Sequence, residues 1–271
     1  MTGPTIATDQ MDPARAAALY ATLGLTRDAT APLIPFGHWV YFWNAQPPAA
    51  LGRDGHPSRK GDVIPATELP RRMWAGGRLQ FARDLVPGQP AQKATFSENV
   101  VRKTGRSGPL GFVTLRHEIS QNGRLAVTEW QDIVYRPDLE TAPGSGPDPA
   151  PDAPPTVPPR APTGAERIEE QRYSTTLLFR YSALTFNGHR IHYDLEYCRD
   201  VEGYPGLVVH GPLLAQQLML MAQTQRGGLR EFRFRATSPL FHTETAKLCQ
   251  NGNRLWVAGP DGRLCMEATA S

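Results

Sequence analysis

The sequence predicts an α+β protein made of one β-rich unit used twice, each copy an antiparallel sheet around a central helix. Three observations carry that reading. A proline-rich break divides the chain, strand and turn signals follow a similar order on either side of it, and the second half holds one strongly apolar helix. The chain has 271 residues, 40% apolar and 20% charged, with a net charge of +3. That length suits one large domain or two small ones with a real core. The modest charge and ample aromatics exclude a wholly disordered chain.

The break is Glu140–Gly164, ETAPGSGPDPAPDAPPTVPPRAPTG, 25 residues with nine prolines and no large apolar residue except Val157. Such a composition favours extended, solvated conformations and cannot pack a core. It reads as a linker between an N-terminal unit, residues 1–139, and a C-terminal unit, residues 165–271. Residues 12–22 read as a surface helix leading into the first unit. Each unit then opens a strand series at Gly-Gly (Gly76-Gly77 and Gly227-Gly228) and places a turn with proline before a polar alternating strand. Each also ends in strands joined at Asn122-Gly123 or Asp261-Gly262, dipeptides that favour tight hairpins.

Alternation marks strands at Gly111–Ile119 and Leu125–Tyr135, with Leu125, Val127, Glu129 and Gln131 on one face; Leu255–Ala258 and Leu264–Ala268 are shorter matches. Pro212–Thr224, PLLAQQLMLMAQT, is a helix that begins with proline in its first turn and stops before Gly227-Gly228. A helix apolar almost all round is buried, which predicts that the sheet wraps it.

Several function classes are excluded. No run approaches the ~18 apolar residues of a membrane span. Met1–Gln10 has neither an apolar signal core nor an Arg-rich amphipathic pattern, which predicts a cytoplasmic chain that is neither exported nor imported. Cys198, Cys249 and Cys265 form no close pair, so neither a zinc knuckle nor a disulfide framework fits. The slight basic excess is too dispersed for a nucleic-acid footprint. No dinucleotide fingerprint, P-loop, HExxH or G-x-S-x-G motif is present, and Gly203-Tyr204-Pro205-Gly206 reads as a turn.

The chemistry concentrates in Arg180–Asp194, RYSALTFNGHRIHYD, and Leu207–Leu213, LVVHGPL. Here the sequence resembles the MaoC-like, R-specific enoyl-thioester hydratases and dehydratases of the double hotdog family. The resemblance implies a strand leading into an acid or amide, a short loop, a histidine five positions on, and a His-Gly strand entering the central helix. It places Asn187 at the acid/amide position, His192 at the catalytic histidine and Val209-His210-Gly211 at the helix entry. In the first half, PFGHWVYFWNA (Pro35–Ala45) and LPRRMWAGG (Leu69–Gly77) resemble the N-terminal unit of the same proteins, nearest those acting on mesaconyl-C4-CoA or itaconyl-CoA. No Asn/Asp-x4-His element precedes the first unit's helix, so that unit is expected to shape the acyl pocket without catalysing.

Adding water to an α,β-unsaturated thioester needs a base for the water, a proton for C2 and a donor for the enolate oxygen. An imidazole titrates near neutrality, so His192 can serve both proton transfers. Asn187 can orient water but cannot accept its proton, a departure from relatives that carry Asp there. The Gly211 amide, ahead of Pro212 at a helix start, can meet the thioester oxygen. Each residue also has a plainer reading: a satisfied core histidine for His192, an N-cap for Gly211, packing for His210, structural roles for His38 and His117, loop capping for Asp194, and core packing for Trp39–Trp43. Val209 and His210 are candidates to line the substrate. Arg190, Arg233, Arg235 and the Arg71-Arg72 pair with Arg78 are candidates for a carboxylate or coenzyme A phosphates, against solvated charge. The expected partner is an acyl-CoA thioester, with coenzyme A part of the substrate and no separate cofactor or metal. The alternatives are a medium-chain fatty enoyl thioester in an apolar tunnel, or a non-catalytic acyl-thioester-binding protein. Exposed sheet edges point to a homodimer.

Overall fold

The computed structural model describes residues 3–57, 69, 71–105, 108–137 and 157–271. The first half contributes β1 (Thr5–Asp9), β2 (Arg71–Phe81), β3 (Ala91–Gly105), β4 (Gly108–Gln121) and β5 (Arg124–Arg136). The second contributes β6 (Arg167–Arg172), β7 (Glu231–Ala236), β8 (Thr245–Asn251), β9 (Arg254–Ala258) and β10 (Leu264–Ala270). Their order across the sheet is β1-β3-β4-β5-β2-β7-β10-β9-β8-β6. Each position in the first five has its sequential counterpart in mirror position in the last five. The duplication seen in the sequence is therefore a duplication of topology, and the two antiparallel sheets join edge to edge at β2 and β7.

That seam runs from Gly76 opposite Arg235 to Gln80 opposite Glu231. A Cβ on Gly76 would lie 2.5 Å from the Phe234 carbonyl oxygen, and one on Gly77 would lie 2.3 Å from that of Trp130. Glycine is therefore required by close backbone approach. The other Gly-Gly pair does something different: Gly227, at φ 73°, ends the central helix. The strand orders match across the halves, but these two pairs do different jobs.

The helices are α1 (Pro13–Leu23), α2 (Thr175–Thr185), α3 (Leu195–Asp200) and α4 (Gly211–Arg226). As its composition predicts, α4 is buried, with Leu213, Leu214, Leu218 and Met219 in the core. It packs on β7, β8, β9 and β10. Its one deeply buried polar side chain, Gln216, donates to the Pro35 carbonyl (3.0 Å) and accepts from the Tyr181 hydroxyl (3.3 Å). Among the described residues, no counterpart of α4 precedes β2; residues 58–68 and 70 lie outside the described part. The α1 helix is capped by Asp12, which accepts from the Ala14 amide (2.9 Å), and ends at Gly24. It is less superficial than its sequence implies, because Ala16, Leu19 and Tyr20 are buried. One apolar cluster runs from these residues and Phe36 through Leu79 and Ile119 to Leu213 and Phe232, spanning both halves.

Most of the predicted linker, residues 140–156, lies outside the described residues. Its last part docks on the second half: Pro159 accepts from the Leu264 amide (2.7 Å) and Ala161 donates to Gly262 (3.0 Å). The Asn122-Gly123 hairpin forms as predicted, both residues having positive φ. Leu125 is exposed rather than core-facing, next to a register shift between Ile119 and Ser120. Among the described residues no helix is long and apolar enough to cross a membrane.

Gly77→Val should lower stability by about 2 kcal/mol or more, because its side chain meets backbone rather than a side chain that can move. A urea titration followed by tryptophan fluorescence measures this, and an unchanged midpoint would show that β2 can shift away from Trp130 on β5.

Candidate active site

The α2 helix is started by Ser174, whose hydroxyl accepts from the Leu177 amide (3.1 Å), and is ended by Phe186 in a left-handed conformation. A helix, not the strand implied by the family resemblance, therefore leads into Asn187. The Ser174 cap ahead of Leu178, Tyr181 and Ser182, the buried stripe of α2, is the signal that marks it. The Asn187 side-chain oxygen then accepts from the His189 amide (3.1 Å), closing an Asx turn. This leaves the Asn187 amide nitrogen as its group for water or substrate.

The loop is clamped to the first half. A Cβ on Gly188 would lie 2.6 Å from the Gly55 carbonyl oxygen, and the Arg190 amide donates to Asp54 (2.9 Å). A 3-10 turn, Arg190–His192, then delivers His192. The His192 ring is 6% exposed and its Nδ1 donates to the Val208 carbonyl (2.8 Å). That bond fixes the tautomer and makes Nε2 the basic nitrogen. Burial pushes the imidazolium down to about 4, against the opposing Val208 hydrogen bond, so the ring is neutral at pH 7.

His210, fully buried, stacks on His192 with ring centroids 3.7 Å apart, and its Nε2 is 2.8 Å from the Ser182 hydroxyl. It lies behind the His192 ring and does not line the cavity, so its expected place against substrate is corrected to one of packing and orientation. Gly211 opens α4, and a Cβ there would lie 2.7 Å from the Trp74 ring. Its amide is among the first-turn N–H groups that lack an intrahelical acceptor. Both halves therefore build this corner: the helix start comes from the second and the indole from the first.

A cavity of about 880 Å³ joins these groups, and Asn187, His189, His192, Val209 and Gly211 all line it. Val209 thus lies where it was expected. Arg233 and Arg235 do not: their side chains are 61% and 75% exposed, pair with Glu231 and Glu267, and border a separate shallow groove. They alternate with Phe232 and Phe234, which are buried, and so fall on the outer face of β7. Arg190 also points away from the cavity, held by Asp194 (2.7 Å) and the Arg53 carbonyl (3.2 Å). Asp194 caps α3 by accepting from the Tyr197 amide (3.0 Å). Arg71 and Arg72 do line the cavity, with Arg71 paired to Glu202, whereas Arg78 stacks on Trp130 at 3.8 Å.

The first half contributes more than packing. Trp39 and Trp43 are cavity walls, and Trp43 stacks on Phe186 at 5.1 Å. His38, Lys93, His117 and Glu129 line the same space. His38 Nε2 donates to Glu129 (2.7 Å); burial opposes ionisation of this carboxyl, but the donors around it hold it well below the usual carboxylate range. Sequence reasoning missed His189, whose signal was its place in the same Asn-Gly-His loop, and Ser182 and Trp74, whose partners are distant in the chain. Asp54, His56 and His189 bring ligand-type atoms within 4.8 Å of one another and could hold a divalent cation.

Fold and site together define a double hotdog protein with one histidine loop set against the start of its central helix. The chain belongs to the hydroxyacyl-thioester dehydratase type 2 family, whose profile matches residues 36–242. It is 44% identical over 247 residues to the mesaconyl-C(4)-CoA hydratase of Chloroflexus aurantiacus, covering 89% of this chain and 84% of that protein. A MaoC-like dehydratase from Phytophthora capsici superposes with a TM-score of 0.69 at 14% identity, covering 99% of this chain and 94% of the other. A Mycobacterium tuberculosis protein described as a double hotdog superposes with a TM-score of 0.56 at 16% identity, covering 100% and 96%.

His117, His189 and His192 are driven by burial to about 4, 3 and 4, below the ordinary 6.5. Below pH 6.5 the unfolded chain therefore binds more protons than the folded one, and stability falls as pH drops toward 4. The slope is at most ~1.4 kcal/mol per pH unit per histidine. Urea midpoints at pH 7.5 and 5.0 test this; equal midpoints would contradict neutral buried rings.

Proposed function

We propose that this chain catalyses reversible hydration of a 2-enoyl-CoA to the 3-hydroxyacyl-CoA, acting on a short branched dicarboxylyl thioester such as mesaconyl-C4-CoA. The observation that carries the chemistry is His192. It is neutral, held through Nδ1 by Val208, and lines one cavity with the Gly211 start of a buried helix. The close similarity to a mesaconyl-C(4)-CoA hydratase supports the substrate class.

In hydration, the Gly211 amide and the α4 N-terminus polarise the thioester oxygen. His192 Nε2 takes a proton from water as the water oxygen bonds to C3, and the C2=C3 pair shifts to form the enolate. The imidazolium then returns that proton to C2, the enolate collapses, and the ring is neutral again. One base serving both transfers from one side gives syn addition. Asn187 contributes position: its oxygen holds the loop and its nitrogen orients water. Val209 walls the acyl group, and Arg71 and Arg72 at the cavity are the candidates for coenzyme A phosphates. No separate cofactor takes part. A medium-chain acyl group would need an apolar tunnel, whereas this cavity carries Lys93, His117 and Glu129.

The protein acts in the cytoplasm as a dimer of chains. The edge strand β6, Arg-Ile-Glu-Glu-Gln-Arg, is guarded by charge, so of the two sheet edges β1 is the one open to such a contact.

Loss of enoyl absorbance with mesaconyl-C4-CoA and crotonyl-CoA measures the reaction. His192→Ala should lose ~10²–10⁴-fold in kcat while remaining folded by circular dichroism; full activity would remove His192 as the base. Dialysis against a chelator should leave the rate unchanged, and a loss restored by a divalent cation would assign a role to Asp54, His56 and His189.

A further inference from the structure

Lys93 extends from β3 into the cavity. The Phe42 ring lies 5.3 Å from its ammonium. Among the described residues no carboxylate lies within ion-pair distance of it, and no oxygen accepts from it. Burial pushes its pKa down, with the more distant charges of Glu129 and Asp9 opposing. This half-buried ammonium keeps its hydrogen-bonding capacity open to an anion that enters the cavity.

The nearby carboxylate does not serve. Glu129 accepts from His38 Nε2 (2.7 Å), from Trp39 Nε1 (3.0 Å) and from the Gln131 amide (2.9 Å), which spend its oxygens on other donors. Asp9 is likewise held, by Arg15 (3.1 Å) and by the Met11 and Phe42 amides. Beside Lys93, the His117 Nδ1 meets the Thr95 hydroxyl (2.8 Å), while its buried Nε2 has no partner. In the tautomer in which Thr95 donates to Nδ1, Nε2 carries the proton and can donate to an incoming anion. The Lys93 ammonium and the unpartnered His117 Nε2 thus sit in one wall of the cavity.

This wall is linked to the reacting corner. Trp39, a donor to Glu129, packs edge-on against Trp74 with ring centroids 5.8 Å apart, and Trp74 lies against Gly211. The cavity therefore has a thioester end from the second half and a cationic end from the first. An acyl chain ending in a methyl group would leave the cation unmatched, whereas one ending in a second carboxylate would satisfy it.

We propose that Lys93, with His117 Nε2 beside it, binds the free carboxylate of the acyl group and selects dicarboxylyl over monocarboxylic enoyl thioesters. The proposal rests on the hydratase reading and assigns to Lys93 a role first sought among the arginines. Its measure is the ratio of kcat/KM for mesaconyl-C4-CoA to that for crotonyl-CoA. In Lys93→Met the ratio should fall by about 10–100-fold, mainly through KM for mesaconyl-C4-CoA, as for loss of a charge-assisted hydrogen bond. Lys93→Arg, which keeps the cation, should recover most of it. If the methionine variant does not fold, Lys93→Gln gives the same comparison. An unchanged ratio, or equal loss on both substrates, overturns the proposal. A wild-type protein active on crotonyl-CoA but not on mesaconyl-C4-CoA overturns it while sparing the hydratase reading. Activity on neither substrate removes both.

Discussion

The close approach of β2 and β7 is the constraint on which the rest depends. With no Cβ at Gly76, the two half-sheets meet as one, and Trp74, two residues earlier on β2, is carried onto Gly211. The start of the central helix is therefore covered by the half of the molecule that does not contain it. The same juxtaposition brings the 52–57 segment against the Asn187–His192 loop, where Gly55 and Gly188 touch backbone to backbone. A bulkier residue at these contacts would separate the parts of the site before altering any reacting group.

Within that frame the His192 ring is held by two direct contacts and a third residue behind them. Val208 holds Nδ1, His210 lies flat beneath the ring, and Ser182 on α2 holds His210 in turn. Ser182 also accepts from the Asn187 amide through its carbonyl (2.9 Å), so one residue anchors both the loop and the supporting histidine. Burial keeps these rings neutral, and a neutral His192 is the form that can take a proton.

Much of this was legible in the sequence, for identifiable reasons. The α4 helix, the Asn122-Gly123 hairpin and the strands around it are set by local periodicity and turn chemistry, which act over a few residues. The Asn187, His192 and Gly211 positions were legible because a compact motif carries them. Alternation placed Arg233 and Arg235 on one face of a strand but could not say which face meets the cavity. Trp74 and Ser182 matter through partners more than twenty residues away, beyond the range of any local signal. Alternation shows Glu129 as a carboxylate sharing a face with Val127. Its meaning depends on His38 and Trp39, some ninety residues earlier.

The palindromic strand order has an evolutionary corollary. A duplicated unit begins with two equivalent sets of side chains, and here they have parted company: the second repeat carries the Asn187–His192 loop, while the first supplies Trp39, Lys93 and His117 to the same cavity. On the proposed roles of His192 and Lys93, chemistry and recognition are lodged in separate repeats. Substitutions that broaden or shift the accepted acyl group can accumulate in one repeat while the reaction machinery in the other stays intact.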